Sequence, residues 1–441
     1  MQEKRYHTIF DAPQNYPSQE DFYAQGESPR ILSFFLDFLQ ERADELSEVY
    51  LSLHLYNNIY LHEALKALAQ RSVKIHLVTI PIEGYATGQA RIIHDLISGE
   101  AANPVAQSSY SLARPIFGEF YKRPIGFFDL YLFPHLSIRD AEAMPFVRGQ
   151  HPYSLQLKSI LLLYKNGGGA VGLSSCNLAV RENLQEENLV FVENDWTLLK
   201  TSLRFFQQLL EHAIHIRDFD FKKRYTHLDM QVQAFSQQEY AFFTAPFYKN
   251  SSVQAENFLV ANAKKATRRI YLVAPHISSY EYTVNGQFHS EYEAEDIEHY
   301  GFLRTVLEQA GAGVEVRCIS QSFAGKEPTF PAPSNAPAFQ VFYEILQATS
   351  NTHYAINARL NSRYLIIDDT VIVTTCNFTP EQFIYLDQVD IPSFAAAAEE
   401  SYRGIFAELG QFLKIADTAT VAAYVKNFEA LWERPATVVV K

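Results

Sequence analysis

A strand–helix–strand pattern occurs twice along the chain, once in each half. Each copy has a strand, a helix and a second strand, at 47–54, 60–71 and 73–80 in the first half and at 269–276, 302–310 and 314–319 in the second. Units of this kind form parallel sheets, because a helix has to carry the chain back between parallel strands. The repeat therefore predicts an α/β protein with two pseudo-symmetric lobes, residues 1–225 and 226–441, each with a mixed, largely parallel sheet flanked by helices.

Each half also contains a hairpin of two short strands that ends in the same residue types. The strands run over 157–164 and 170–177 in the first half and over 362–368 and 371–377 in the second. Both hairpins end in two hydroxyl residues, a cysteine and an asparagine. The pattern further predicts helices at 31–46 and 255–267, closing helices at 198–215 and 395–415, an insertion without a repeat partner at 81–150 and a surface loop at 328–337.

Composition narrows the class of partner and the compartment. The 441 residues carry a formal net charge of −13, which argues against the broad basic face that coats nucleic acid or an anionic membrane, although a small basic pocket is compatible with it. No stretch reaches the ~18–20 apolar residues of a membrane span, and the polar N-terminus predicts no signal peptide. Cys176, Cys318 and Cys376 provide neither a disulfide framework nor a zinc site, so we expect a cytoplasmic protein.

The two hairpins resemble the phospholipase D superfamily, whose members carry His-x-Lys-(x)4-Asp followed by Gly-Ser-x-Asn in each lobe. The resemblance covers most of the chain and is strongest over 361–380, which ends in an Asn-Phe-Thr-Pro tail typical of bacterial members. The first hairpin has Lys158 without a following aspartate and is similar to the tyrosyl-DNA phosphodiesterase branch. The resemblance implies a phospholipase D-like fold of two lobes and a phosphodiesterase or phospholipase ancestry, with no metal and no other cofactor.

The sequence departs from the family pattern at both histidine positions. Aligning Lys158 and Arg363 with the motif lysines places Gln156 and Asn361 where the family has histidines, one attacking phosphorus and the other protonating the leaving oxygen. Neither amide titrates near pH 7 or attacks a phosphodiester. Because cooperating catalytic groups act as a unit, we expect a degenerate and inactive member, with no confident catalytic residue.

The residues that would hold an anion are retained. They are Lys158, Ser175, Asn177, Arg363, Thr375 and Asn377. If the lobes pack pseudo-symmetrically, as the resemblance implies, these six residues converge in one cleft and hold a phosphate-bearing ligand. The acidic residues that the family pattern places in support are Glu186, Glu187, Asp368 and Asp387.

A purely structural role for the same residues is an equal alternative. The two asparagines can tie the hairpins together, and Lys158 and Arg363 can form buried ion pairs with Glu187 and Asp387. Asp368 lies next to a predicted turn and can serve as its carboxylate. The cysteines beside the asparagines are expected to be buried, unreactive thiols.

Two other functions remain open from the sequence. The first is an active phosphodiesterase, of nuclease or phospholipase type, that uses displaced histidines. His54 and His276 are the candidates because they end the first strand of each repeat at nearly equivalent places, and strand ends of α/β sheets are where sites form. The second is a structural or partner-binding protein, with an unknown partner, in which side chains fill the former cleft.

Overall fold

The computed structural model describes residues 3–12, 30–81, 109–133, 153–179, 185–220, 233–234, 237–277, 281–284, 287–290, 301–321, 346–378, 407–434 and 437–440. The chain divides into two compact units, the first drawn mainly from residues 1–230 and the second mainly from residues 231–441. The predicted lobe boundary at 225–226 and the predicted loop at 328–337 lie outside the described residues.

The first unit is a mixed sheet with helices between its strands. The strands of this sheet are β1 (Arg5–Asp11), β2 (Leu46–Ser52), β3 (Lys74–Thr79), β4 (Phe128–Leu132), β6 (Ser159–Tyr164), β7 (Gly169–Ser174), β8 (Glu187–Glu193) and β9 (Ile214–His215), and the short strand β5 (Tyr153–Leu155) is not part of it. Its helices are α1 (Arg30–Glu41), α2 (Ile59–Gln70), α3 (Ser109–Lys122) and α4 (Trp196–Glu211). The strand order is β1-β8-β7-β6-β2-β3-β4-β9, and along it only the neighbours β2–β3 and β3–β4 pair in parallel.

The second unit has the same layout. Its strands are β10 (Ala241–Thr244), β11 (Arg269–Val273), β12 (Glu281–Val284), β13 (Gln287–Ser290), β14 (Glu315–Ser320), β15 (Thr352–Asn357), β16 (Tyr364–Ile367), β17 (Thr370–Thr374), β18 (Ala407–Ile415) and β19 (Thr437–Val440). Its helices are α5 (Ser251–Ala263), α6 (Gly301–Gly311) and α7 (Thr418–Trp432). The strand order is β10-β18-β17-β16-β11-β14-β15-β19, with parallel pairing across β11, β14 and β15, while β12 and β13 pair separately.

The two sheets correspond strand by strand along these orders, and each corresponding pair of neighbours runs in the same relative direction. This confirms the predicted repeat and the α/β class with mixed sheets and flanking helices. The parallel part is smaller than expected, because it is confined to the three strands that the crossover connections join. The other neighbours along each order pair antiparallel.

The crossover helix α2 shows why this part of the chain is helical. Asn58 precedes it in an extended conformation, and its side-chain oxygen accepts hydrogen bonds from Tyr60 N and Leu61 N, which satisfies backbone donors of the first turn. Leu61, Leu65 and Leu68 are buried, a spacing of about one helical turn. The helix therefore packs one apolar side against β3 and β4 and brings the chain back to start a parallel strand.

Two of the sequence predictions about helices and strands are wrong. The segment 407–415, predicted as the end of a closing helix, is the strand β18 between β10 and β17, and the closing helix of the second unit is α7. The residues of this segment are almost all buried, so their periodicity does not distinguish a helix from a strand. The position between β10 and β17 in the sheet requires a strand. The region 81–150 does contain a repeat partner, because β4 corresponds to β15.

Among the residues that the structure describes, no helix is long and apolar enough to cross a membrane.

Candidate functional site

The motif cations Lys158 and Arg363 lie at the same register position of corresponding hairpins. Lys158 O accepts a hydrogen bond from Ser174 N at 3.0 Å, and Arg363 O accepts one from Thr374 N at 3.2 Å. Each cation immediately precedes the first hairpin strand, and the hydroxyl residue opposite it ends the second strand. The sequence alignment of these two positions therefore agrees with the backbone of each unit.

The turn after each hairpin is also built in the same way. The Ser174 hydroxyl accepts from Cys176 N at 2.9 Å, and the Thr374 hydroxyl accepts from Cys376 N at 3.0 Å. Such a short side-chain to backbone bond replaces a ladder bond where the strand ends. Cys176 and Cys376 are buried, as the sequence predicts. The turn fixes the positions of the residues on either side of each cysteine.

The residues two positions before the motif cations contact those cations. Lys158 Nζ donates to Gln156 O at 3.0 Å and to Gln156 Oε1 at 3.2 Å. The Arg363 guanidinium donates to Asn361 O at 3.1 Å. Lys158 is 2% exposed and Arg363 is 6% exposed, so both cations are buried. A buried cation is stable only where its donors are well satisfied, and each of these motif positions supplies part of that solvation.

The hydroxyl residue before each cysteine binds the neighbouring strand. The Ser175 hydroxyl accepts from Asn188 N at 2.9 Å and donates to the carboxylate of Glu187 at the start of β8. Glu186, the other member of the predicted acidic pair, is also buried. Ser175 and Glu187 are therefore brought together at the end of the hairpin.

The corresponding hydroxyl of the second unit has a different environment. The Thr375 hydroxyl accepts from Gln411 N at 3.1 Å on β18. Ser174 pairs with Leu189 and Thr374 pairs with Phe412, so Gly410 occupies the register position of Glu187. Asp387, which the sequence places in the second acidic pair, lies outside the described residues. The roles of Asn188 and Gln411 were missed from the sequence, because only the strand register reveals them.

Asn177 and Asn377 occupy equivalent positions but bond differently. Asn177 Oδ1 accepts from His54 N at 3.1 Å. The register of the sheets aligns His54 with Pro275, because Ser52 pairs with Ser159 and Val273 pairs with Tyr364, the residues that directly follow Lys158 and Arg363. A proline has no N–H group, so it cannot make this bond. Among the described residues, the buried Oδ1 atom of Asn377 has no hydrogen-bond partner.

The same register shows that the two histidines are offset by one residue. His276 lies one residue beyond the position of His54, which Pro275 occupies. The His54 ring is tied to the motif by Nδ1, which lies 2.8 Å from Leu155 O. Because a carbonyl only accepts, Nδ1 carries the proton in the neutral ring and Nε2 carries the lone pair. The sequence could not separate the two positions, since both residues follow a strand directly.

His276 lies close enough to Arg363 for the two to interact electrostatically. Burial, together with the positive charge of Arg363, lowers the pKa of His276 to about 3. The ring is therefore neutral at pH 7, which is the form of an imidazole that acts as a nucleophile or base rather than as an acid. Both displaced histidines thus lie near the motif segment of their own unit.

Asp368 is a structural residue of the hairpin turn. Its carboxylate accepts hydrogen bonds from three successive backbone N–H groups, those of Thr267, Arg268 and Arg269, at 2.8–3.0 Å. Although partial burial raises its pKa, these bonds lower it to a net value below the ordinary one. The turn lies at the opposite end of β16 from Arg363. The alternative of a turn carboxylate accounts for these contacts, which tie the hairpin to the start of β11.

In each unit the motif residues gather at one end of adjacent strands. In the first unit they follow β2 and β7 and precede or begin β6 and β8, and in the second unit they follow β11 and β17, precede β16 and lie in β18. The arrangement presents a cation, a hydroxyl, an asparagine and a nearby histidine in each unit. Chemically, such a set can hold the oxygens of a phosphate group.

Comparisons with known proteins find similar structures. No protein-family model matches the sequence, and no curated protein matches it. The polyphosphate kinase of Porphyromonas gingivalis is similar over 96% of this chain and 50% of its own, at 11% identity and a TM-score of 0.50. The chain therefore spans about half the length of that kinase.

Two further solved structures match over nearly the whole chain. The phosphatidylserine synthase of Haemophilus influenzae Rd KW20 is similar over 93% of this chain and 85% of its own, at 10% identity and a TM-score of 0.50. Yeast tyrosyl-DNA phosphodiesterase matches over 92% of this chain and 89% of its own, at 12% identity and a TM-score of 0.41. At these identities the likeness concerns the fold, and the last match is too weak to add to it.

Proposed function

We propose that this chain, which has the fold of the phospholipase D superfamily, binds a phosphate-bearing ligand through Lys158 and Arg363 without the phosphohistidine chemistry of that family. The observation that carries the proposal is the pairing of a retained cation with a replaced histidine in both units. Lys158 and Arg363 keep their register positions, while Gln156 and Asn361 stand two residues before them. An arginine or lysine can hold phosphate oxygens, but an amide neither attacks phosphorus nor protonates a leaving group.

The names of the similar proteins agree with a phosphate-bearing ligand. A polyphosphate kinase and a phosphatidylserine synthase are each named for a phosphate compound. Because their sequences are so different from this one, the structural likeness supports only the fold. The proposed ligand class therefore rests on the retained cations. The role that fits such a ligand without turnover is a binding or regulatory one.

Equilibrium binding of inorganic phosphate tests the proposal. We expect Lys158→Met and Arg363→Met each to weaken phosphate binding roughly ten- to hundredfold, because each substitution removes a charge-assisted hydrogen bond. Lys165→Met is the matched control, since it removes one positive charge from an exposed turn of the first unit. Stoichiometry and a double-mutant cycle then measure whether one phosphate contacts both cations. Unchanged affinity in the double variant, with an intact fold, would leave a structural or partner-binding role.

A second function, phosphodiester hydrolysis by the displaced histidines, is favoured by one observation on each histidine. His54 contacts Leu155 and Asn177, and His276 is held neutral near Arg363. A neutral imidazole beside a cation is a suitable nucleophile for phosphorus. This function predicts hydrolysis of bis-p-nitrophenyl phosphate that His54→Gln and His276→Gln abolish. The first proposal instead predicts phosphate binding without release of nitrophenol.

A further inference from the structure

A cluster of ligand-type side chains lies between the helices α2 and α3 of the first unit. His62 and Glu63 belong to α2, and Glu119 belongs to α3. One potential ligand atom from each of the three lies within 4.8 Å of the others. None of these residues belongs to the motif hairpin, so the cluster is independent of the proposed phosphate site.

His62 is the fixed member of the cluster. Its side chain is fully buried, and the rings of Phe120 and Phe128 lie with their centroids 5.7 Å from its ring. Its Nδ1 is 2.9 Å from the Tyr56 hydroxyl. Its other nitrogen, Nε2, faces Glu119 Oε2 at 3.6 Å and makes no hydrogen bond among the described residues. A buried ring nitrogen pointing at a carboxylate without bonding to it indicates a missing partner between them.

In this structure, the ammonium group of Lys66 supplies the positive charge next to the two carboxylates. Its Nζ lies 2.8 Å from Glu63 Oε1 and 2.9 Å from Glu119 Oε2. The ammonium sits at the end of a flexible stem, and the two carboxylates are 57% and 33% exposed. It bonds to both carboxylates, and among the described residues His62 Nε2 has no hydrogen-bond partner.

We propose that His62, Glu63 and Glu119 bind a divalent transition-metal ion of the Zn²⁺ type, which displaces the Lys66 ammonium. One imidazole and two carboxylates form a ligand set that Zn²⁺ accepts, with solvent completing the coordination. The Tyr56 hydroxyl would accept a hydrogen bond from the Nδ1–H group of His62. This bond orients the ring and leaves the Nε2 lone pair for the ion. Ligand atoms around Zn²⁺ lie closer together than in this cluster, and the exposed Glu63 side chain has the freedom to close the gap.

The ion would join two helices that connect to the motif region. Asn58, the cap of α2, donates from Nδ2 to Leu178 O at 2.8 Å, directly after Asn177. An ion that ties α2 to α3 would therefore stabilise the first unit near its motif turn. Binding to the folded state alone raises the apparent stability in proportion to the logarithm of the ion concentration.

Titration of the full chain with Co²⁺, followed by displacement with Zn²⁺, tests this inference. We expect one equivalent of Co²⁺ to give visible absorption bands, and Zn²⁺ to abolish them and raise the melting temperature. His62→Gln and Glu119→Gln should each weaken binding roughly tenfold or more. Lys66→Met should strengthen it roughly tenfold or more, because it removes the competing cation. Glu211→Gln, at the exposed end of α4, is the control and should change nothing.

Two results would overturn the inference. One is a wild-type protein and a Lys66→Met variant that bind no stoichiometric Co²⁺. The other is binding that His62→Gln and Glu119→Gln leave unchanged, which would place the ion on other residues. Circular dichroism without metal checks the fold of each variant. If His62→Gln does not fold, the test rests on Glu119→Gln and Lys66→Met, whose positions are partly exposed. The inference then requires weaker Co²⁺ binding in the first variant and stronger binding in the second.

Discussion

The asparagines that follow the two hairpins differ in one hydrogen bond, and the cause is a single residue on a neighbouring strand. Asn177 accepts from His54 N, whereas Pro275 stands at the equivalent position of the second unit and has no N–H to offer. The sequence shows both asparagines and the proline. It does not show that they meet, because the contact depends on the register between strands far apart in the chain.

The two asparagines should therefore differ in their effect on stability. We expect Asn177→Ala to cost about 1–3 kcal/mol of unfolding free energy, because it leaves the His54 N–H without its acceptor. Asn377→Ala should cost less, since the Oδ1 atom it removes has no partner among the described residues. Urea unfolding of the two variants measures the difference. Equal losses would mean that the bond to His54 N contributes nothing net.

Asp11 provides a pH-dependent link between β1 and α1. Its carboxylate accepts from Arg30 N at 2.6 Å and from Ile31 N at 3.3 Å, where the helix begins. Burial raises its pKa from 3.8 to about 6, despite these bonds. The folded state therefore holds a proton that the unfolded state has lost between these two pH values. In that interval the contribution of Asp11 to stability falls as pH rises.

Asp11→Asn should remove this dependence. We expect the wild type to lose up to roughly 3 kcal/mol from this group between pH 4 and pH 6.5, and the variant to lack that component of the slope. Unfolding free energies measured across the interval give the comparison, with Asp37→Asn on the same helix as the control. Parallel curves for the wild type and Asp11→Asn would show that the carboxyl group is not perturbed by burial.

At the scale of helices and strands, the sequence predicts the elements whose structure is determined by the local pattern of apolar and turn residues. The crossover helices and the hairpins were predicted because their apolar spacing and turn residues are local. The strand β18 was predicted as a helix because its run of buried residues fits both structures. The strand β4 was missed because it is short. The corresponding strand of the second unit, β15, also lies at a different distance along the chain from the strand before it. In both cases the sheet, rather than the segment, decides the structure.

The strand β7 has a glycine where it passes beneath an aromatic cluster. A Cβ atom at Gly172 would lie 2.8 Å from two ring atoms of Phe191. That ring is packed by Phe34, Phe35 and Phe38 of α1, with centroid separations of 5.2–5.9 Å. The ring has little room to move, so the strand needs a residue without a side chain at this point.

Gly172→Ala should therefore destabilise the protein by about 1–3 kcal/mol, the usual cost of forcing extra volume into a packed core. Gly311→Ala is the matched control, because a Cβ atom there meets nothing within 4 Å. At the end of α6 the added methyl group should leave stability unchanged or raise it slightly. Thermal unfolding of both variants gives the comparison. A Gly172→Ala protein as stable as Gly311→Ala would mean that the Phe191 cluster yields easily.

At the scale of the whole molecule, a duplicated scaffold carries two versions of one motif that have diverged. Both have a buried cation, a hydroxyl and an asparagine at matching positions, and both have an amide residue two positions before the cation. The fold could be predicted from the sequence because the repeat imposes the same sheet twice. The supporting contacts could not, because the first unit has Glu187 where the second has Gly410, a difference visible only in the strand register.

The binding of an oxyanion by the motif cations is most directly tested by crystals soaked in tungstate and measured at the tungsten absorption edge. The proposed function predicts an anomalous peak within hydrogen-bond distance of Lys158 Nζ or the Arg363 guanidinium, with Gln156 and Asn361 unmodified. Peaks confined to other parts of the surface, with both cations enclosed by protein atoms, would contradict it.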